Sequence, residues 1–568
     1  MGVLDDPEET WTSATSRWPA RIGGVPAFAA KRAPTAEKLR GGYYTPDAVA
    51  LFVADWVAKA GPKLLEPSCG DGAIVKHLTS GSQPHLVEAV ELVDDEAEQA
   101  TNTGASVSTG DFFEWFTPER QGTFDGVAGN PPFIRFGNWD PVQREPALAL
   151  MRSVGLRPSR LTNAWVPFVV GSVLAVRGGG RVGLVLPAEL LQVGYAAALR
   201  AYLIDECSEI TIVSFAELLF PGVLQEVVLL LAERGRGPAV VRTREINDAA
   251  ALRTLVPGGN HAPRAQLHET EKWTKYFLSS EQIAALRAVR TDPRLPRLRR
   301  WAEVDVGVVS GRNSFFCLTR ADAEARGLLD VTLPLVARSS QLRGVVISDD
   351  DLDLNADART RLLAVAGDLE PADHPRLLEY LAEGEADGVP SGYKCAIRRD
   401  WWRVPSLWVP DGFMLRQLHT HPRLIANETA ATSTDTVHRV RTATGVDMGR
   451  LAVAAFNTVT FAAAEVLGRS YGGGILELEP SEAEDLPVPD PLLVPAALVP
   501  EVDRLVRCGE IEAALEKVDE QVLVHGLGFE RAQIAVLRSA WHRLRLRRNR
   551  RGKPKRAAAA SNDCNSSL

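Results

Sequence analysis

"LLEPSCGDGAIV", residues 64–75, reads as an apolar strand ending on Glu66, a turn built on Gly70 and Gly72, and the opening of an apolar helix. Glycine supplies the backbone freedom such a turn needs, and a strand–turn–helix joint is the repeating unit of a sheet with parallel strands. Working outward, "DAVALFVADWVAKA" (47–60) has helical apolar spacing, and "HLVEAVEL" (85–92) and "FDGVAGN" (124–130) are short apolar strands. "NAWVPFVVGSVLAVRGGG" (163–180) reads as a long helix ending on glycines. Then come "RVGLVLP" (181–187), a helix near 189–203, "ITIVSF" (210–215) and "EVVLLLAE" (226–233). This alternation predicts an α/β fold: a Rossmann-like, doubly wound sheet with helices on both faces.

A chain of 568 residues exceeds one ordinary domain. Residues 1–40 lack periodicity and read as an arm, 41–245 as the doubly wound domain, and 246–490 as an α+β domain. A helical segment follows at 491–547 and a disordered basic tail at 548–568. Hydrophobic residues make up 45% and charged residues 24%, the balance of a globular protein. No apolar run reaches the roughly 18 residues of a membrane span and no leader precedes the arm, so the expectation is a cytoplasmic protein without a membrane partner. Six cysteines lie far apart without a CxxC pair, which predicts free thiols and no metal site. The formal net charge of −8 hides basic runs at 287–300, 394–403 and 543–556 that could hold a polyanion locally.

The acids at the strand ends indicate a ligand. A turn that cradles pyrophosphate has little use for Glu66 and Asp71 beside it, whereas a cationic amino group would be attracted by them. Glu91 ends the next strand, where such folds hold ribose hydroxyls. Asp111 and Phe112 follow the strand after that, suited to an adenine amino group and ring face. An adenosine with a charged, non-phosphate tail fits, and S-adenosylmethionine is such a molecule.

"GNPPF" (129–133) ends the fourth strand on an amide, two prolines and an aromatic. The exocyclic nitrogen of adenine is a poor nucleophile because its lone pair is delocalised into the ring. Two acceptors on its two hydrogens would free that lone pair for in-line attack on a methyl sulfonium. Asn130 can supply one acceptor and the Pro131 carbonyl the other, while Pro131 and Pro132 hold the backbone extended. Phe133 offers a flat face for a base drawn out of its stack.

These motifs, with "GGYYTPDAVA", "VEL" and "GDFF" in the same order, resemble the class I, S-adenosylmethionine-dependent DNA adenine-N6 methyltransferases of bacterial restriction-modification systems. The resemblance implies an N-terminal catalytic domain and a C-terminal target-recognition domain. It implies that Thr45 contacts the methionine part, Glu66 with its turn (Ser68, Gly70, Gly72) the amino acid, Glu91 the ribose, and Asp111 with Phe112 the adenine. It further implies double-stranded DNA as partner, with a cognate restriction endonuclease as a second. "LLFPGVLQEVVLLL" resembles a later motif of the family, which nominates Phe220 as the second aromatic against a flipped base.

Four segments of the second half, including "VGVVSGRNSFFCL" (306–318) and "YKCAIRRDWWRVP" (393–405), resemble the family's recognition domain. They nominate Arg312, Asn313, Arg398, Arg399, Trp401 and Trp402 as DNA contacts, with Asn427 as an alternative reader of adenine. The competing reading of these residues is an aromatic mini-core with solvated arginines. The arm is too short for a nuclease, so modification without cutting is expected. Two rivals stand beside DNA methylation: a protein glutamine-N5 methyltransferase, whose nucleophile poses the same problem, and a DNA-binding subunit of a larger defence complex.

Overall fold

Strands β1 (Lys63–Glu66), β2 (Leu86–Glu91), β3 (Ser106–Thr109), β4 (Phe124–Gly129), β5 (Val176–Pro187), β6 (Cys207–Phe215), β7 (Val227–Arg234) and β8 (Val240–Ile246) form one sheet in the order β3-β2-β1-β4-β5-β7-β6-β8. The computed structural model describes residues 45–550, apart from 81–83, 217–218, 220–225, 237–238, 256–271, 354–357 and 472. Only β7 runs against its neighbours, β5 and β6. Consecutive strand residues serve opposite faces of the sheet. Leu64, Ala89, Ala128 and Val185 enter one core, and Leu65, Val90, Val127 and Leu184 enter the other. The first face is covered by α1 (Asp47–Ala58) and α2 (Val75–Thr79). The second is covered by α4 (Phe112–Trp115), α5 (Pro141–Ser153), α6 (Trp165–Ala175) and α7 (Ala197–Glu206), while α3 (Asp94–Thr101) flanks β3. Both faces buried is why the central strands are mainly apolar, whereas the edge strands β3 and β8 are half-buried and more polar.

Helix α1 lies close against the sheet because two strand positions lack side chains. A Cβ on Gly126 would sit 2.3 Å from Val57 Cγ1, and one on Gly183 would sit 2.8 Å from Val57 Cγ2. The expectation of a helix over 163–180 is corrected: α6 stops at Ala175, and Val176 already pairs with Phe124. Its glycines bulge out of the ladder, Gly179 at φ +76°, and pairing resumes at Arg181.

The second half holds a five-stranded sheet (346–347, 424–427, 412–415, 437–442, 302–305) and a four-stranded one (317–318, 361–363, 332–336, 432–433) that share a core through Val336, Phe413, Ile425 and Val437. Helix α8 (Ser280–Thr291) and α9 (Thr458–Leu467) receive the long α10 (Arg531–Arg550), whose Trp541 ring lies 5.2 Å from Phe461. The core on the α6 face of the eight-stranded sheet continues without a break into this half. The start of the tail at 548 is corrected: Arg547 and Arg548 belong to α10 and are buried. Arg547 pairs with Glu245 and covers the Phe277 ring, so it is committed to holding the two halves together. The arm at 1–40, Phe220 and residues 551–568 lie outside the described residues. Among the described residues no single helix is long and apolar enough to cross a membrane, and no group of His, Cys, Asp and Glu is placed to hold a metal ion.

Candidate active site at the carboxyl edge of the sheet

The strand order reverses between β1 and β4, and the crevice beyond their carboxyl ends is where open α/β sheets bind ligands. A cavity of about 420 Å³ lies there, lined by Thr45, Glu66, Ser68, Gly70, Glu91, Asp111, Phe112, Asn130 and Pro132 among others. Four successive strands thus deliver Glu66, Glu91, Asp111 and Asn130 to one space.

The glycine turn is built around Glu91. Its Oε2 accepts from the Gly70 N–H at 2.8 Å and its Oε1 from Leu92 and Val93, which ties the turn after β1 to the end of β2. Gly70 and Gly72 sit at φ +53° and +86°, and a Cβ on Gly72 would meet Ala100 Cα of α3 at 3.1 Å. Glu66 is 2% exposed. Its Oε2 and the Ser68 hydroxyl are buried with no hydrogen-bond partner among the described residues. Burial first, then the charges of Glu91 and Asp71, push the Glu66 carboxyl well above the usual carboxylate range. Burial and the same acids Glu66 and Glu91 push the Cys69 thiol up, so it stays protonated. A buried carboxylate without a partner is costly, and a cationic group entering the cavity would relieve that cost.

Asp111 caps α4, its Oδ1 accepting from the Phe113 and Glu114 amides at 2.7 and 3.3 Å. Burial raises its pKa, opposed by those two bonds. The Phe112 ring stacks on Phe168 at 5.4 Å, and Phe113 meets Phe168 edge-on at 4.7 Å. This aromatic wall includes Phe113, Trp139 and Phe168, which the sequence reading did not nominate. Phe168 arrives because the Ala164 N–H at the head of α6 bonds the Ile134 carbonyl at 2.9 Å, fastening the helix to the segment leaving β4. No local pattern announces that fastening.

The Asn130 Nδ2 donates to Thr45 Oγ1 at 3.2 Å, which orients the amide with Oδ1 on its opposite branch. Pro131 is buried, and Phe133 is half-buried, packed against both cores of the sheet.

The nominated DNA contacts fall on two loops that meet at Gly311, where a Cβ would touch Cys395 Sγ at 3.0 Å. Arg312, Asn313 and Arg399 are exposed. Arg312 donates to the Asp387 carbonyl, and Asn313 Oδ1 accepts from the Ser310 hydroxyl. Arg398 donates to the Val309 and Ser310 carbonyls and so holds the loops together. The reading of Trp401 as a DNA contact is corrected: it is 9% exposed, packed on Phe315 at 5.4 Å, with half-buried Trp402 against it. Asn427 is likewise spent on its own turn, donating to the Pro410 and Ala431 carbonyls and accepting from Thr429. In the basic run 287–300, Arg294 and Arg299 pair with Asp292 and Asp485. Tyr393 and Ile397, both more than half exposed beside these loops, went unnominated.

Residues 75–220 match the family described as Eco57I restriction-modification methylase, and residues 270–523 match the C-terminal domain of Type II methyltransferase M.Eco57I. The chain is similar to Type II methyltransferase M.XamI of Xanthomonas campestris pv. amaranthicola, 24% identical over 478 residues, covering 81% of this chain and 86% of the relative. It is 20% identical over 472 residues to Type II methyltransferase M.AccI of Acinetobacter calcoaceticus, covering 78% of this chain and 83% of the relative. Among solved structures, the type IIG restriction endonuclease BpuSI aligns with a TM-score of 0.39 at 14% identity, over 91% of this chain and 67% of that one.

Proposed function

We propose, for a chain that belongs to the restriction-modification methylases of the Eco57I type, that it transfers a methyl group from S-adenosylmethionine to the N6 amino group of an adenine in duplex DNA. One observation carries this reading: Glu66, with its unpartnered buried oxygen, and Asn130, oriented by Thr45, line the same cavity. S-adenosylmethionine, when bound, supplies an electrophilic methyl group on a sulfonium.

Glu66 and the Ser68 hydroxyl receive the ammonium of the amino-acid part. Glu91 has lone pairs left after its three backbone bonds and takes the ribose hydroxyls. Asp111 and the Phe112–Phe168 wall hold the adenine. Asn130 Oδ1 and the Pro131 carbonyl accept the two hydrogens of the target amino group, turning its lone pair toward the methyl carbon. With S-adenosylmethionine held by Glu66, Glu91 and Asp111, the methyl group would pass to that nitrogen and the C–S bonding pair would stay on sulfur. The alkylated nitrogen is then acidic enough to lose its extra proton to water. Phe133 supports the extruded base. Arg312, Asn313 and Arg399 contact the DNA from the second half, in the setting of a system that includes a cognate endonuclease. The function is tested by methylation-sensitive sequencing of cells with and without the gene. Modified adenines confined to one sequence context are expected with it, and an unchanged pattern would refute it.

The Glu66 environment predicts a pH dependence. In the free protein the raised carboxyl keeps its proton above the ordinary glutamate range, and the ammonium needs the carboxylate. Affinity for S-adenosylmethionine therefore rises with pH through that window, with a proton released on binding. By the same linkage the free protein loses stability as pH rises there, because the folded state holds the proton more tightly than the unfolded chain. Calorimetry in two buffers of different ionisation enthalpy reads the proton directly. Glu66→Gln should abolish the buffer dependence and weaken binding about tenfold or more, the loss of one charge-assisted bond. Equal buffer dependence in the variant would contradict the assignment.

A further inference from the structure

The hairpin of Arg469–Tyr471 and Ile475–Glu477 belongs to the second half in sequence but is fastened to the catalytic edge of the first. The Ser470 N–H donates to Gln192 Oε1 at 2.6 Å and its hydroxyl to Glu226 Oε1 at 3.1 Å. Gln192, in the segment that leaves β5, and Glu226, just before β7, are both buried, and the Ala188 N–H bonds the Glu226 carbonyl between them. That loop also carries Tyr195, whose hydroxyl bonds Glu189 at 2.5 Å and whose ring lies 6.3 Å from Trp165. Trp165 follows Ala164, a cavity residue tied to Ile134 just beyond Phe133. A continuous packed path thus connects the Asn130 segment to the hairpin. From its other side the hairpin is held by α10: Arg548 donates to the Gly474 carbonyl, and a Cβ on Gly474 would meet Asn549 Oδ1 at 3.1 Å. Arg469 is fixed to Glu482, which also binds Lys272. On this doubly anchored support Tyr471 is 41% exposed.

Tyr471 is thus tethered through its neighbours Ser470 and Gly474, and Arg469 lies against its hydroxyl, while a large part of the side chain stays open to solvent. Such a ring is suited to stacking on a partner, and the partner available at this edge is the DNA from which a base is drawn. Extruding a nucleotide leaves a gap whose neighbouring bases have lost a stacking face. We propose that Tyr471 is a positioning residue for base extrusion: its ring stacks into the gap that the target adenine leaves in the duplex. The proposal rests on the duplex-adenine reading above. The bonds of Ser470 to Gln192 and Glu226 tie the ring's support to the sheet edge that carries Asn130, so recognition by the second half and presentation of the base are coupled.

The test uses the full chain with S-adenosylhomocysteine and duplexes carrying 2-aminopurine at the target position, read by the fluorescence rise on flipping. Tyr471→Ala should weaken formation of the bright complex about tenfold on the matched duplex, the lower end of what a base stacked on an aromatic side chain contributes. On a duplex where the target is already mispaired the defect should shrink to about threefold or less, because less stacking and pairing is lost there. Tyr471→Phe should match the unaltered protein on both. Equal loss on both duplexes, or no loss on either, overturns the proposal while the unaltered protein still flips. Absence of any fluorescence rise with the unaltered protein overturns the duplex-adenine reading itself.

Discussion

Asn130→Ala is expected to lower methyl transfer at least about 100-fold, the usual cost of losing one preorganised polar contact to the reacting group. S-adenosylmethionine should bind the variant almost as before, because Glu66, Glu91 and Asp111 approach the cavity from other strands. The two effects separate because Asn130 bonds Thr45 and, in the proposed mechanism, acts on the target amino group, whereas the glycine turn is held by Glu91 without it. Tritium transfer to DNA measures the first and calorimetric titration the second. Activity retained within about threefold would sink the in-line amide mechanism.

Arg548→Ala should destabilise the fold by about 3–5 kcal/mol, the cost of breaking a buried ion pair by removing one partner. Both side chains of the Arg548–Glu465 pair are 3% exposed, joined at 2.7 and 3.1 Å. Arg548 also donates to the Leu418, His419 and Gly474 carbonyls, so three segments lose a common anchor to α10. Burial already raises the Glu465 carboxyl and Arg548 holds it down. Without the guanidinium Glu465 takes up a proton more readily, so the destabilisation should ease as pH falls. Chemical denaturation of the two proteins across pH measures this. A loss below about 0.5 kcal/mol, the range of an ordinary surface change, would contradict the buried-anchor role.

The catalytic edge was legible because its polar residues close apolar strands. Glu66, Glu91, Asp111 and Asn130 each follow such a run, and doubly wound topology brings strand ends to one side. The aromatic wall was not legible, since Phe168 reaches the cavity only through the bond between Ala164 and Ile134. The glycines at 178–180 read as a helix stop because their role, a bulge before β5 resumes beside β4, depends on a partner strand far away in sequence. The basic character of 543–556 misled in another way. Charge alone does not distinguish a solvated arginine from one like Arg548, whose carboxylate partner lies 83 residues upstream. Trp401 was ambiguous for the same reason: an aromatic next to arginines suits a base or a core, and Phe315 with Phe316 decides for the core. The hairpin at 469–477 joins the two halves through Gln192, a contact across 278 positions that no sequence pattern encodes.

The central claim concerns which atom receives the methyl group. Duplex DNA incubated with the protein and isotopically labelled S-adenosylmethionine, then digested to nucleosides and analysed by mass spectrometry, reads that atom directly. The account predicts labelled N6-methyl-2′-deoxyadenosine, absent with Asn130→Ala. Label on cytosine, or label confined to glutamine in protein with none in DNA, would contradict it.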